Sequence, residues 1–323
     1  MKQINPCNFP TRVFLIDDSS QALEKLERVL DDAHATYHSF NKPQEAVNFI
    51  NALPALPDQW KTPMEEGLLD VEISNLYQEI YNPKRFNQVS TIVVDYDMPA
   101  LNGLELCEQI NSSHIQKVLL TGAADEELAV QAFNRGLIQH FIRKQDPQAL
   151  DLLDQYISES QQRYFKTLTQ GLVRQIDADS TAIADPVFID LFKKITQEHD
   201  ICEYYLLEGT GSFLMLDAQG HPSALFTFTE ELLGQNDEMI DELLQDGSDL
   251  LPEGLADDLL EHRKALCFHY FEGLSFPTPN LWHQYAQDIH LIEGKQPYYW
   301  AYVPDLKDLS RKNLTSFNQY KSV

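Results

Sequence analysis

Two apolar runs in this chain end on acids. Val13-Phe14-Leu15-Ile16 runs straight into Asp17-Asp18, and Ile92-Val93-Val94 runs into Asp95. A short unbroken apolar run is the mark of a strand covered on both faces, and such a strand cannot hold adjacent carboxylates inside the core. The acids must therefore lie at the strand ends. Like charges one residue apart repel, and they are tolerated where water or a cation reaches them.

The rest of the first half keeps the same rhythm. A helix is predicted after Ser19 and Ser20, running to residue 33, with Leu23, Leu26 and Leu30 on one face. A weaker strand over 35–40 precedes a helix over 44–53. After the run ending on Asp95 come a helix over 104–110, a strand over 118–120, a helix over 126–134 and a strand over 138–143. Apolar strands alternating with amphipathic helices predict a doubly wound parallel sheet. Working residues in such sheets collect at the C-terminal ends of the strands. Here those ends carry Asp17 and Asp18, Asp95, Thr121 and Lys144. Oxygen donors with open positions suit Mg²⁺.

Residues 11–150 resemble the receiver domain of two-component response regulators, which has a five-stranded flavodoxin-like fold. "LIDDSS" is similar to the family's acidic pair and "VVDYDMPALNGLEL" to its phosphoacceptor segment. The resemblance implies that Asp95, four residues before Pro99, accepts a phosphoryl group from a histidine kinase or phosphotransfer protein. It implies that Asp17, Asp18, Asp95 and the backbone carbonyl of Asp97 hold Mg²⁺. It further implies that Lys144, in "FIRK", and Thr121, in "LLTG", serve the phosphoryl group, with Thr121 and Phe141 as the switch pair. Two departures stand out: Gln145 follows Lys144 where the family usually has proline, and Asp97 adds a carboxylate beside the site.

The chain is long between the acidic pair and the acceptor. Residues 54–90 are extra, opening on Pro54, Pro57 and Pro63 and continuing with Leu68, Leu69, Ile73, Leu76, Tyr77 and Ile80 at helical spacing. The apolar face of this predicted helical insertion must cover either its own receiver or a dimer or partner surface. Beyond Pro147, apolar residues recur at Leu150, Leu153, Ile157, Tyr164, Leu168 and Leu172, interrupted at Ser160. This predicts a long connecting helix, over 151–176, that either packs within the chain or forms a homodimer seam.

The remainder, 177–323, reads as an α+β domain with a mainly antiparallel sheet. A helix lies within 180–200, with Phe188, Leu191, Phe192 and Ile195 on one face. Strands follow over 203–207, 212–216 and 223–228, then an acidic helix over 230–245 and aromatic strands in "ALCFHYFEG" and "PYYWAYVPD". Gly209-Thr210-Gly211 sits where a hairpin turn is expected. His262, His269, His283 and His290 match no metal-ligand spacing. Four scattered cysteines, Cys7, Cys107, Cys202 and Cys267, read as buried free thiols.

Charge narrows the function. The chain carries −26, and residues 165–323 hold 11 basic against 26 acidic side chains, a net −15. A nucleic-acid partner needs cationic contacts to phosphate, so none is expected. No apolar stretch is long enough for a membrane span and no secretory leader is seen, which makes the cytoplasm the expected location. The expected output is binding of a protein or small ligand. An enzyme acting on a nucleotide or similar metabolite, and a non-cycling scaffold, are the alternatives.

Overall fold

The computed structural model describes residues 3–53, 73–122, 126–170, 182–245, 251–252, 254–271 and 273–322. It divides into two compact units. One holds Asn8–Asp70, Pro83–Gly171 and Tyr320–Val323; the other holds Met1–Cys7, Val71–Asn82 and Leu172–Gln319. The division falls within a two-residue strand, β1 (Cys7–Asn8).

The first unit is built on β2 (Thr11–Ile16), β3 (Ala35–Phe40), β4 (Val89–Asp95), β5 (Gln116–Thr121) and β6 (His140–Arg143). Their order is β3-β2-β4-β5-β6 and every pairing is parallel. The period-two alternation of strands splits their side chains between two cores. Phe14, Ile16, Ile92, Val94 and Leu119 face one side, with Val47, Leu106 and Ala129. The latter three come from α2 (Pro43–Asn51), α3 (Gly103–Gln109) and α4 (Glu126–Asn134). Val13, Leu15, Val93, Val118 and Leu120 face the other, with Leu23 of α1 (Ser20–Val29) and Leu153 and Ile157 of α5 (Ala149–Leu168). Both faces are covered, which is why the central strands show no polar alternation. Each fully buried aliphatic or aromatic side chain contributes roughly 1.5–3 kcal/mol.

Helix α1 starts as expected, with Ser19 as its N-cap accepting from the Ala22 N–H, but it ends at Val29 rather than residue 33. Helix α5 differs more. Ser160 does not interrupt its inner face, because that hydroxyl is itself buried, and Gln161 beside it donates to Thr11 Oγ1 and the His34 carbonyl, both at 2.9 Å. Leu153, Ile157, Tyr164 and Leu168 are all buried in this chain. At these four positions the stripe that suggested a dimer seam is already occupied, while Leu150 is exposed, and the packing supports the intrachain reading of the helix. Leu172 lies outside the described residues.

The second unit carries a six-stranded sheet, β1-β7-β8-β9-β13-β12. Its strands are β7 (Ile201–Leu206), β8 (Phe213–Asp217), β9 (Pro222–Phe228), β12 (His290–Glu293) and β13 (Pro297–Val303), beside β1. The pairs β7–β8, β8–β9, β9–β13 and β13–β12 are antiparallel. Helix α6 (Pro186–Glu198), capped by Asp185, packs Phe192 against Tyr204 and Phe213 of the sheet. Helix α7 (Glu230–Gln245) falls where expected. With α8 (Leu255–Leu260) it forms a small core around Trp282 beside the two-stranded β10 (Lys264–Leu266) and β11 (Ala286–Asp288).

Two expectations change here. The strand predicted in "ALCFHYFEG" stops at Leu266; beyond it Phe268 packs edge-on with Tyr270, Phe276 and Tyr285 instead of pairing in a sheet. In the insertion, residues Ile73–Tyr81 form a 3₁₀ helix that groups with the second unit. Tyr77 sets its ring edge against His269 and Phe271, at 5.8 and 5.0 Å between centroids. Pro54, Pro57, Pro63, Leu68 and Leu69 lie outside the described residues.

Candidate functional site

The C-terminal edge of the parallel sheet gathers the residues expected there. Asp17 follows β2 directly and Asp95 closes β4, and both are almost fully buried, while Asp18 is exposed. Asp17, Asp18 and Asp95 each offer an oxygen within 4.8 Å of the others. Ser19 donates its backbone N–H to Asp17 Oδ1 at 2.8 Å, so the turn that caps α1 also aims the first carboxylate. All three donors are oxygens, two are buried and one side is open to solvent. This set fits Mg²⁺, which takes a few carboxylates and keeps other positions for water or phosphate.

Lys144 completes the group. Its Nζ lies 2.7 Å from Asp95 Oδ1 and 3.5 Å from Asp17 Oδ2. The β6 end is held in register because the Lys144 N–H donates to the Thr121 carbonyl at 3.0 Å. Burial works to lower the Lys144 pKa, but the hydrogen bond and charge of Asp95, with Asp17, outweigh it and raise it above the ordinary value. Asp17 is pushed up, first by burial and also by the Asp95 charge, against the Ser19 N–H and the Lys144 ammonium. Two buried carboxylates this close, one of them pushed up, make a site that added positive charge would stabilise.

Thr121 is fully buried, and its hydroxyl donates to the Gly122 carbonyl at 3.1 Å. Phe141 is partly buried on β6, with its ring 6.3 Å from that of Phe133 on α4. Asp97 is exposed in the loop after β4, and its side chain is not part of the carboxylate trio. The peptide bond between Lys144 and Gln145 is trans. Sequence reasoning left out Gly103, whose only signal was its place inside the acceptor motif. An added Cβ there would overlap the Asp95 carbonyl and approach Leu119. Asn102 precedes it and caps α3 with Glu105 in a reciprocal capping box.

The four histidines weighed from the sequence, His262, His269, His283 and His290, do not converge. His262 pairs with Asp237, His269 with Glu208, and His283 with the Asn280 carbonyl, while His290 packs on Trp300. Among the described residues, the acidic trio is the one group of three ligand-type side chains close enough to share an ion. Gly209-Thr210-Gly211 forms the β7–β8 turn, with Gly211 at a φ of 110°.

Comparison with known proteins agrees with this geometry. The family model for the response regulator receiver domain matches residues 59–154. That span begins beyond the acidic pair, which the sheet brings back to the site. The solved structure of the Legionella pneumophila response regulator LqsR is similar at 32% identity, covering 99% of this chain and 95% of that one, with a TM-score of 0.80. Two others are an adenylate cyclase from Rhodopirellula baltica and a response regulator receiver domain protein from Clostridium thermocellum. The first is 20% identical over 51% of this chain and 98% of its own, with a TM-score of 0.38. The second is 18% identical over 47% and 95%, with a TM-score of 0.34. No curated protein matches the chain.

Proposed function

The chain belongs to the response regulators, and on that premise we propose that Asp95 is its phosphoacceptor. The observation that carries this is the ammonium of Lys144 set 2.7 Å from the Asp95 carboxylate, beside Asp17 and Asp18. In the reading that follows, a histidine kinase or phosphotransfer protein presents a phosphohistidine. An Asp95 oxygen attacks its phosphorus, the P–N bond breaks, and the histidine leaves with its electron pair. Lys144 offsets charge on the transferring group, and preorganised positive charge is the main catalytic resource for such a step. Asp17, Asp18, Asp95 and the Asp97 carbonyl would hold Mg²⁺, which supplies further positive charge against the phosphoryl oxygens.

Thr121 answers the new group. Its hydroxyl exchanges the Gly122 carbonyl for a phosphoryl oxygen, and Phe141 follows into the space this opens. That is a local charge event biasing a two-state element. The second unit then passes the signal on by binding a protein or small ligand. The net −15 of residues 165–323 argues against nucleic acid. A homodimer through α5 can use only the outward side of that helix, where Leu150 is exposed, because the inner stripe is buried. Among the described residues no helix is long and apolar enough to cross a membrane. The kinase or phosphotransfer partner of a receiver would meet it in the cytoplasm, and that is the location we propose.

The test is direct. Incubate the full chain with Mg²⁺ and acetyl phosphate, then compare intact masses of wild type and Asp95→Asn. A phosphoryl adduct is expected in wild type alone; equal yield in the variant would remove the assignment.

A further inference from the structure

The second unit has a cleft of about 420 Å³ at one end of its sheet. It is lined by the end of α6 (His199), the β8–β9 hairpin (Asp217, His221), Tyr302 of β13, and Asp305 and Arg311 in the loop beyond. None of these residues belongs to the acceptor site. What the cleft can bind follows from which polar atoms are already used.

Three of the four oxygens of the two lining carboxylates are used. Asp217 Oδ1 accepts the backbone N–H groups of Gln219 and His221, each at 2.9 Å, and Oδ2 lies 2.8 Å from His221 Nδ1. That carboxylate closes the hairpin turn, and among the described residues Nε2, an acceptor in the neutral ring, is the nitrogen of His221 without a partner. Asp305 accepts from Arg311 Nη2 at 3.0 Å, and among the described residues the other guanidinium N–H groups of Arg311 have no partner. Tyr302 shares its hydroxyl with Ser223, and its ring stacks on His199 at 4.0 Å and 23°. The remaining capacity is thus a guanidinium edge, imidazole nitrogens and a flat aromatic surface. Among the described residues Asp305 Oδ2 is the one lining carboxylate oxygen without a partner, and a single exposed oxygen is too few ligands for a cation site.

We propose that this cleft binds a small planar anion: a single aromatic or heteroaromatic ring bearing a carboxylate or a phosphate monoester. The Arg311 edge takes the anion by charge-assisted hydrogen bonds, and the His199–Tyr302 stack takes the ring. A volume near the lower end of the range for ligand pockets, about 300–1,000 Å³, suits one ring with one anionic group. In a chain of net charge −26, the guanidinium edge of Arg311 makes this cleft a selective place for an anion. The proposal rests on the small-ligand reading of the second unit and gives it a location and a chemistry. It does not depend on Asp95.

Isothermal titration of the full chain with four probes tests it: phenyl phosphate, benzoate, neutral benzamide and inorganic phosphate. Phenyl phosphate or benzoate should bind at least tenfold more tightly than both benzamide and inorganic phosphate. Arg311→Gln should weaken that binding about tenfold, and His199→Ala several-fold, with melting temperatures unchanged because both side chains are exposed. Equal binding of benzamide would remove the anion, and equal binding of inorganic phosphate would remove the ring. Tight binding that both variants leave untouched would keep a small-ligand site but overturn this one. Absence of binding by every probe overturns the proposal, while the acetyl phosphate experiment still decides the fate of Asp95.

Discussion

The backbone of Gly103 comes so close to the carbonyl of Asp95 that any side chain at 103 would overlap it. The approach is made because α3 begins immediately at Gly103, whose N–H donates to the Tyr96 carbonyl at 2.9 Å. The first turn of the helix is thereby clamped onto the loop that follows the acceptor strand. The position of Asp95 is set by what lies behind it as much as by the charges in front.

Gly103→Ala should therefore act on the site through the backbone. Overpacking against a carbonyl that cannot swing away costs about 1–3 kcal/mol. Urea denaturation should show that loss, and the yield of acetyl phosphate labelling should fall with it. Asn102→Ala is the control. It removes the cap of the same helix at a cost of about 1 kcal/mol without pressing on Asp95, so labelling should persist.

Lys144→Met should separate charge on the phosphoryl group from metal binding. Lys144 now neutralises part of the Asp17 and Asp95 charge. Without it the carboxylates hold Mg²⁺ as well as before or more tightly, by calorimetry. The labelling rate should nevertheless drop, on the order of 100-fold if the ammonium acts as a preorganised donor. Parallel loss of both would mean that Lys144 merely maintains the site's structure.

Acid should weaken the receiver unit through histidines held neutral. Burial lowers the pKa of His140, with Glu159 opposing and Arg163 adding to the effect, and burial alone lowers that of His114. A folded-state pKa below the unfolded value near 6.5 means the unfolded chain takes up protons first. Stability is unaffected above that pH and falls as pH drops through it, until the lower folded pKa is passed. The urea midpoint should be lower at pH 5.5 than at pH 7.5. His140→Phe keeps a ring against Tyr156, now 4.2 Å away, while removing the proton site, and should narrow the gap.

The parallel sheet and its edge were legible because each signal was local. Apolar runs, caps and strand-end residues fall within a few positions of one another, so Asp17, Asp95, Thr121 and Lys144 could be placed from their own neighbourhoods. The cleft of His199, His221 and Arg311 was not legible, since its members come from a helix end, a hairpin, a strand and the loop beyond it, far apart in sequence. Ser160 misled for a different reason. A serine in an apolar stripe reads as a break, yet a small hydroxyl is tolerated at a buried helix position beside the Gln161–Thr11 hydrogen bond. The grouping of Ile73–Tyr81 had no local signal at all. An amphipathic segment states that it has a partner without stating which one.

That grouping yields the last prediction, on where the second unit can be cut. The Ile4 N–H donates to the Ile183 carbonyl and the Leu206 N–H to the Pro6 carbonyl, so the first residues of the chain are built into this unit. Tyr77 is buried with its ring against His269 and Phe271. A fragment of residues 172–323 would lose all of these. Removing the burial of Ile4 and Tyr77 alone costs about 3–6 kcal/mol. Domains have only about 5–15 kcal/mol in total. The fragment should show little near-ultraviolet circular dichroism and no cooperative urea transition, while the full chain shows both. A fragment that unfolds cooperatively at the same urea concentration as the full chain would mean that the second unit does not need residues 1–7 and 71–82.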